Sequence, residues 1–242
     1  MIAKLNRTTP KKKIVIVKNH FPVDNDPRVV NLIKMLRKEY RITYLGWNRE
    51  TNFSKYSEKH ADYFSVVVNR RAPVGLQSAL FLPLWWFSAL SYLLKMDWDA
   101  LHVINFSSLP PSILAAKLRK KPVVYDIVET FEDQTALPTL FKLLIFKIDK
   151  FLMRYVEAVV LVDEMQIDEF GGIPNSNTIV VYDTPEPLLT TIKSHENHIF
   201  TLFHPGYLDK RRNLNIEALI EAVKPIKNIK VIFAGMETSL DI

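Results

Sequence analysis

The chain contains no cysteine, which excludes disulfides, thiolate nucleophiles and cysteine-held metals and fits a reducing compartment. Its histidines, His20, His60, His102, His195, His198 and His204, show no zinc-ligand spacing, so no metal and no other cofactor is expected. Internal repeats and low-complexity stretches are missing as well. The basic start runs at Ile14 into a short β-like segment without a small-residue cleavage site, so no signal peptide is read. The loop after that first strand lacks the G-x-G-x-x-G fingerprint, which argues against a dinucleotide held in the first turn.

What is present is a globular composition, 48% hydrophobic and 24% charged over 242 residues. That is enough for one ample core, or for one domain and part of another. The net charge of +6 is concentrated in Lys4, Arg7, Lys11, Lys12 and Lys13, with no acid among them. The rest of the chain is nearly neutral, so nucleic acid is not an expected partner. The arm over residues 1–13 reads either as a solvated tail or as a contact to anionic lipid.

Apolar β-branched runs recur at Ile14 to Val17, Ile42 to Leu45, Phe64 to Val68, Leu101 to Ile104, Val123 to Tyr125, Val159 to Val162 and Thr178 to Tyr182. Helix-length stretches lie between most of them, as where Val29, Val30, Ile33 and Leu36 precede Arg37, Lys38 and Glu39. Continuous apolar strands separated by helices predict a doubly wound, Rossmann-like parallel α/β sheet covered on both faces. Ligands of such a sheet sit at the carboxyl ends of its strands. Leu76 to Leu94 carries no charge, but Pro83, Gln77, Ser78, Ser88 and Ser91 favour a buried or surface-docked helix pair over a membrane span. From Leu140 to Tyr155 a broad apolar face adjoins a stripe of Lys142, Lys147, Lys150 and Arg154. Core packing and a membrane interface both fit that wheel.

The first domain is expected over residues 14–187, ending where Pro185 and Pro187 stop the last strand. A linker follows over 188–198. Residues 199–242 read as strand, glycine turn, helix and strand, the opening βαβ of a second nucleotide-binding domain. That segment is too short to close a sheet, so the chain is expected to be the front part of a two-domain protein.

Polar residues gather where strands end. In the loop Asn19 to Arg28, Asp26 and Pro27 make a good helix start, while position alone makes Asp24, Asp26 and Arg28 candidates for binding sugar hydroxyls or phosphate. Asn105 ends one strand, and Asp126 with Glu129 ends another; the three share a crevice if their strands are neighbours. Asp126 is either a structural acceptor or an active-site group, and His102, between apolar residues, reads as a satisfied core histidine. After Gly206, Lys210, Arg211 and Arg212 open a helix, an arrangement that suits a diphosphate as well as an exposed basic turn.

Taken in order, Asp26-Pro-Arg-Val29, Trp98-Asp-Ala-Leu-His102, Pro122-Val-Val-Tyr-Asp126 with Glu129, Pro174 to Pro185, and Gly206 to Leu214 resemble the GT-B glycosyltransferases of family 4. The resemblance implies a retaining enzyme that moves a sugar from a nucleotide-sugar donor to a glycan or lipid-linked acceptor. It implies donor phosphate binding by Lys210, Arg211 and Arg212, acceptor binding by Asp24, Asp26, Arg28 and Asn105, and Asp126 and Glu129 as candidates near the chemistry. The sequence departs from the family pattern at the glycine-poor first turn, at Val128, where a histidine is usual, and at Glu237, where a glycine is usual. The family's paired donor-site glutamates have no counterpart before Ile242, so this chain alone is expected to be inactive. A cytoplasmic location with peripheral contact to an anionic inner-membrane face is the matching expectation, and a homo-oligomer or a completing subunit is a possible partner. The rival class is a non-catalytic sugar-binding or partner module; an epimerase is weaker for want of paired acids.

Overall fold

The structure is a computed structural model that describes residues 11–20, 23, 26–49, 57–59, 63–69, 78–130, 139–184, 199–205 and 215–235. The chain divides into two units, Met1–Glu186 and Pro187–Ile242.

In the first unit the strands are β1 (Lys13–Lys18), β2 (Arg41–Asn48), β3 (Ser57–Lys59), β4 (Phe64–Asn69), β5 (Ala100–Ile104), β6 (Val123–Ile127), β7 (Ala158–Leu161) and β8 (Thr178–Val180). They form one sheet in the order β3-β4-β2-β1-β5-β6-β7-β8. Every pairing is parallel except that of β3 with β4. The helices are α1 (Pro27–Leu36), α2 (Ser78–Lys95), α3 (Leu109–Arg119), α4 (Thr139–Leu152) and α5 (Met165–Glu169).

Alternation along the strands sorts side chains onto two faces. Val15, Val17, Leu45, Trp47, Leu101, Val103, Tyr125 and Val159 enter a large core with Trp85, Ala89 and Leu93 of α2, Ile113 and Ala116 of α3, and Phe146 and Leu152 of α4. Ile16, Ile42, Tyr44 and Ile104 enter a smaller core with Val29 and Ile33 of α1. Helices therefore cover both faces, and the fold is the doubly wound α/β sheet that the apolar runs require. Trp47 and Trp85 stack across the larger core at 5.9 Å.

The uncharged run near residue 80 is a single helix with Pro83 inside it, not a pair. The N–H that Pro83 lacks would have met the carbonyl of Ala79, close to the helix start, where a missing bond costs little. No helix among the described residues is long and apolar enough to cross a membrane. Helix α4 matches neither wheel reading alone. Ile145, Phe146 and Leu152 are half-buried and Asp149 is buried, whereas Leu140, Phe141, Leu143, Leu144, Ile148 and Phe151 are exposed.

In the second unit β9 (Phe200–Pro205) and β10 (Ile229–Ala234) pair in parallel, with α6 (Asn215–Val223) between them in sequence. This is the βαβ unit expected there. Asn228, at φ 62, turns the chain into β10.

Candidate functional site

Strand β1 leads through α1 to β2 on one side and is flanked by β5 on the other, so the direction of winding switches between β1 and β5. In open α/β sheets a crevice opens at that switch, beyond the carboxyl ends of the strands. The described residues at the carboxyl ends of β1, β5 and β6 lie at that edge of the sheet. The sequence candidates Arg28, Asn105, Asp126 and Glu129 come together there.

Asp126 is 2% exposed. Its alternation places it on the α1 face, with its backbone opposite Ile104 and with His102 one turn of the pleat away on β5. Arg28, at the second position of α1, grips it side-on: Nη2 donates to Oδ1 at 2.7 Å and Nε to Oδ2 at 3.3 Å. His102 Nε2 lies 3.0 Å from Oδ2. The third Arg28 contact, from Nη1 to the Val181 carbonyl at 3.1 Å, reaches the chain just past β8. Burial alone raises the Asp126 carboxyl, but hydrogen bonds from His102 and Arg28, together with their charges, hold it below the usual range. Asp126 is thus an ionised anchor joining α1, β5, β6 and the end of β8.

Asn105 adopts φ 62 with ψ 159, outside the left-handed helical well and in a region otherwise left almost wholly to glycine, so its hydrogen bonds hold a strained backbone. Its N–H donates to the Asp126 carbonyl at 2.9 Å, and its Oδ1 accepts from Val128 N at 3.0 Å and Glu129 N at 3.4 Å. One side chain therefore shapes the turn after β6 and sets the position of Glu129, which is exposed. Gln166 performs the same service one strand further on, accepting from Val162 N at 2.9 Å and donating to the Ile127 carbonyl at 3.4 Å.

On the β1 side, Asp26 caps α1 through Val29 N at 3.2 Å and forms an ion pair with Lys18. Tyr44 is fully buried and donates its hydroxyl to the His20 carbonyl at 2.6 Å. Burial, followed by the nearby charges of Asp26 and Tyr63, pushes its phenol well above the usual value. It therefore stays a donor and fixes the loop that follows β1.

Asp24, Lys210, Arg211 and Arg212 lie outside the described residues. Among the described residues no group of three or more histidine, aspartate or glutamate side chains is spaced to hold a metal ion. A shallow pocket edged by Arg154, Glu157, Asn175 and Asn177 sits by the amino ends of β7 and β8, away from the crevice. Sequence reasoning did not foresee the joint engagement of Arg28, His102 and Asp126, nor the role of Gln166. The alternation of β5 and β6 carried a signal for the first, since it puts His102 and Asp126 on one face.

No family model matches the chain, and no curated protein matches it. Solved structures do. An E. coli trehalose-phosphate synthase bound with UDP-2-fluoroglucose is similar at TM-score 0.59 and 15% identity, over 95% of this chain and 66% of that one. Sucrose-phosphate synthase from Thermosynechococcus elongatus matches at TM-score 0.59 and 11% identity, over 93% and 71%. Anabaena HepE, in complex with UDP and glucose, matches at TM-score 0.59 and 14% identity, over 94% and 62%. The chain thus spans about two thirds of the length of these proteins. At this identity the likeness is one of fold: the chain has the Rossmann-like architecture of GT-B glycosyltransferases.

Proposed function

We propose that the whole protein is a retaining glycosyltransferase of the family-4 type, moving a sugar from a nucleotide-sugar donor to a glycan or lipid-linked acceptor. In this reading the first unit supplies the acceptor side and the second the donor side. The observation that carries it is the fold likeness to glycosyltransferases holding UDP or a UDP sugar, joined to a polar crevice at the switch point of the sheet.

The roles of the candidate residues divide by burial. Asp126 and Arg28 saturate each other and, with Asn105, hold the crevice wall in shape. Glu129, exposed on the turn that Asn105 shapes, is the carboxylate positioned to accept a hydrogen bond from an acceptor hydroxyl. Asp24 and Asp26, between β1 and α1 in sequence, are assigned to acceptor hydroxyls. Lys210, Arg211 and Arg212 are assigned to the donor diphosphate, where cations offset the charge that develops on the leaving nucleotide. No metal enters this reading.

Calorimetric titration with UDP, GDP and their glucose conjugates tests it. Micromolar binding of a nucleoside diphosphate, lost in Arg212→Ala, is expected. Absence of heat with every nucleotide at millimolar concentration refutes the donor assignment. A Glu129→Gln variant that keeps nucleotide affinity but loses transfer with the full-length protein is the expected acceptor-side result.

A further inference from the structure

Helices α2, α3 and α4 pack against the same face of the sheet. Each also turns large apolar side chains outward. Leu80 is 80% exposed and Phe87 75% on α2, Leu118 63% on α3, and Leu140 76% on α4. On α4 the exposed Leu140, Phe141, Leu143, Leu144, Ile148 and Phe151 fall within an arc of about 160° at helical spacing. Helix α1, on the opposite face, exposes a single large apolar side chain, Met35.

The three outward surfaces are continuous. Helices α2 and α3 are packed neighbours. Beyond the end of α4, Tyr155 sits edge-on to Phe151 at 5.2 Å, with Lys117 of α3 lying 3.6 Å over its ring. Charge on these helices is of one sign at the surface. Their acid, Asp149, is buried, against Lys95, Lys117, Arg119, Lys142, Lys147 and Lys150. Exposed Lys147 lies within the apolar arc of α4, between Leu143 and Leu140 on the wheel, and exposed Arg154 continues that line past the helix end.

We propose that the outward face of α2, α3 and α4 docks on an anionic lipid bilayer. Apolar side chains flanked by cations are the pairing that reversible membrane binding requires, the former entering the acyl boundary and the latter meeting anionic headgroups. Three neighbouring helices make a broad surface rather than a groove, which suits a bilayer better than a peptide. Because each helix follows a strand, its amino end lies at the strand's carboxyl end. Leu80 and Leu140, the most exposed, therefore sit at the edge nearest the crevice. Docked this way, the crevice opens beside the headgroups, within reach of a lipid-linked hydroxyl. The inference deepens the lipid-linked branch of the proposed function, yet vesicle binding requires no nucleotide, so the two readings fail separately.

The test is co-sedimentation with phosphatidylglycerol–phosphatidylcholine vesicles and with phosphatidylcholine vesicles, at low and high salt. The wild-type chain is expected to pellet with the anionic vesicles and to be released partly by salt. Leu80→Ser with Leu144→Ser and Phe151→Ser, all at exposed positions, is expected to weaken partitioning more than tenfold with unchanged circular dichroism. Lys147→Gln with Arg154→Gln is expected to cost about fivefold per cation and to flatten the salt dependence. The proposal is overturned if the wild type stays in the supernatant, or if the triple variant binds as well as the wild type. It is overturned equally if Lys4→Gln with Arg7→Gln alone abolishes binding, or if the face proves to join two copies of the chain that ignore vesicles.

Discussion

Asp149 gives the sharpest test of the packing argument. It is 3% exposed, sits on the buried side of an otherwise cationic helix, and accepts a hydrogen bond from Tyr125 Oη at 2.9 Å. Burial pushes its carboxyl from 3.8 up to about 7, with the Tyr125 bond opposing the rise. The folded value lies above the unfolded one, so the neutral acid is the form that the fold prefers. Its contribution is whole below about pH 4 and is lost as pH rises through about 7. At about 1.4 kcal/mol per pKa unit, the ionised carboxylate costs the folded state about 4 kcal/mol at pH 8. Asp149→Asn keeps the size of the side chain and an oxygen for Tyr125, and it never ionises. The variant should gain on the wild type by about 3 kcal/mol between pH 5 and pH 8. Urea melts followed by tryptophan fluorescence measure this directly, because Trp47, Trp85, Trp86 and Trp98 all lie in the first unit. Every other titrating group is common to both chains, so their difference isolates position 149. A stability gap that stays constant from pH 5 to pH 8 would refute the reasoning.

Other substitutions probe the crevice. Arg28→Ala strands a buried carboxylate beside His102 and should cost about 3–5 kcal/mol at pH 7. Because the Asp126 value is held low, the wild type keeps that stability at neutral pH and loses it as the solution is acidified. In Arg28→Ala the carboxyl rises toward its unfolded value, so the acid loss should shrink and the gap to the wild type should narrow from pH 7 to pH 4, which urea midpoints at the two pH values read. Gly46→Ala places a Cβ 2.6 Å from the Tyr44 ring and 2.8 Å from the His20 carbonyl; with the ring tied to that carbonyl, a loss of about 1–3 kcal/mol is expected in thermal melts. Asp26→Ala removes a helix cap and the partner of Lys18, for about 1–2 kcal/mol; an unchanged melting temperature would contradict that accounting.

The parallel sheet was legible because its strands are buried on both faces and so read as unbroken β-branched runs. Strand β3 was not, since Ser57-Glu-Lys59 carries no apolar residue and is held by pairing with an edge. The break expected at Pro83 did not occur, because a proline's effect depends on which carbonyl it crowds rather than on its presence. The crevice was half legible. Position at strand ends pointed to Asn105, Asp126 and Glu129, but the grip of Arg28 on Asp126 spans 98 residues and needs the order of strands, which local patterning does not carry. The wheel of α4 showed cations and apolar residues without showing which side met the sheet. Asp149, the acid amid lysines and facing Tyr125, was the clue to that orientation.

The central place of β1 bears on how the chain is made. Its neighbours are β2, from residue 41, and β5, from residue 100, so this strand is made before either of them and keeps one edge open until the chain has grown past Ile104. Helix α2, with Trp85 and Trp86, emerges during that interval, before α3, its packed neighbour, and before Ser107, to whose carbonyl Trp86 donates. At synthesis rates of about 5–20 residues per second, these aromatic side chains stay uncovered for seconds. Chaperone capture of nascent chains ending between α2 and α3, and release once α3 has emerged, is the co-translational signature that this order of elements imposes.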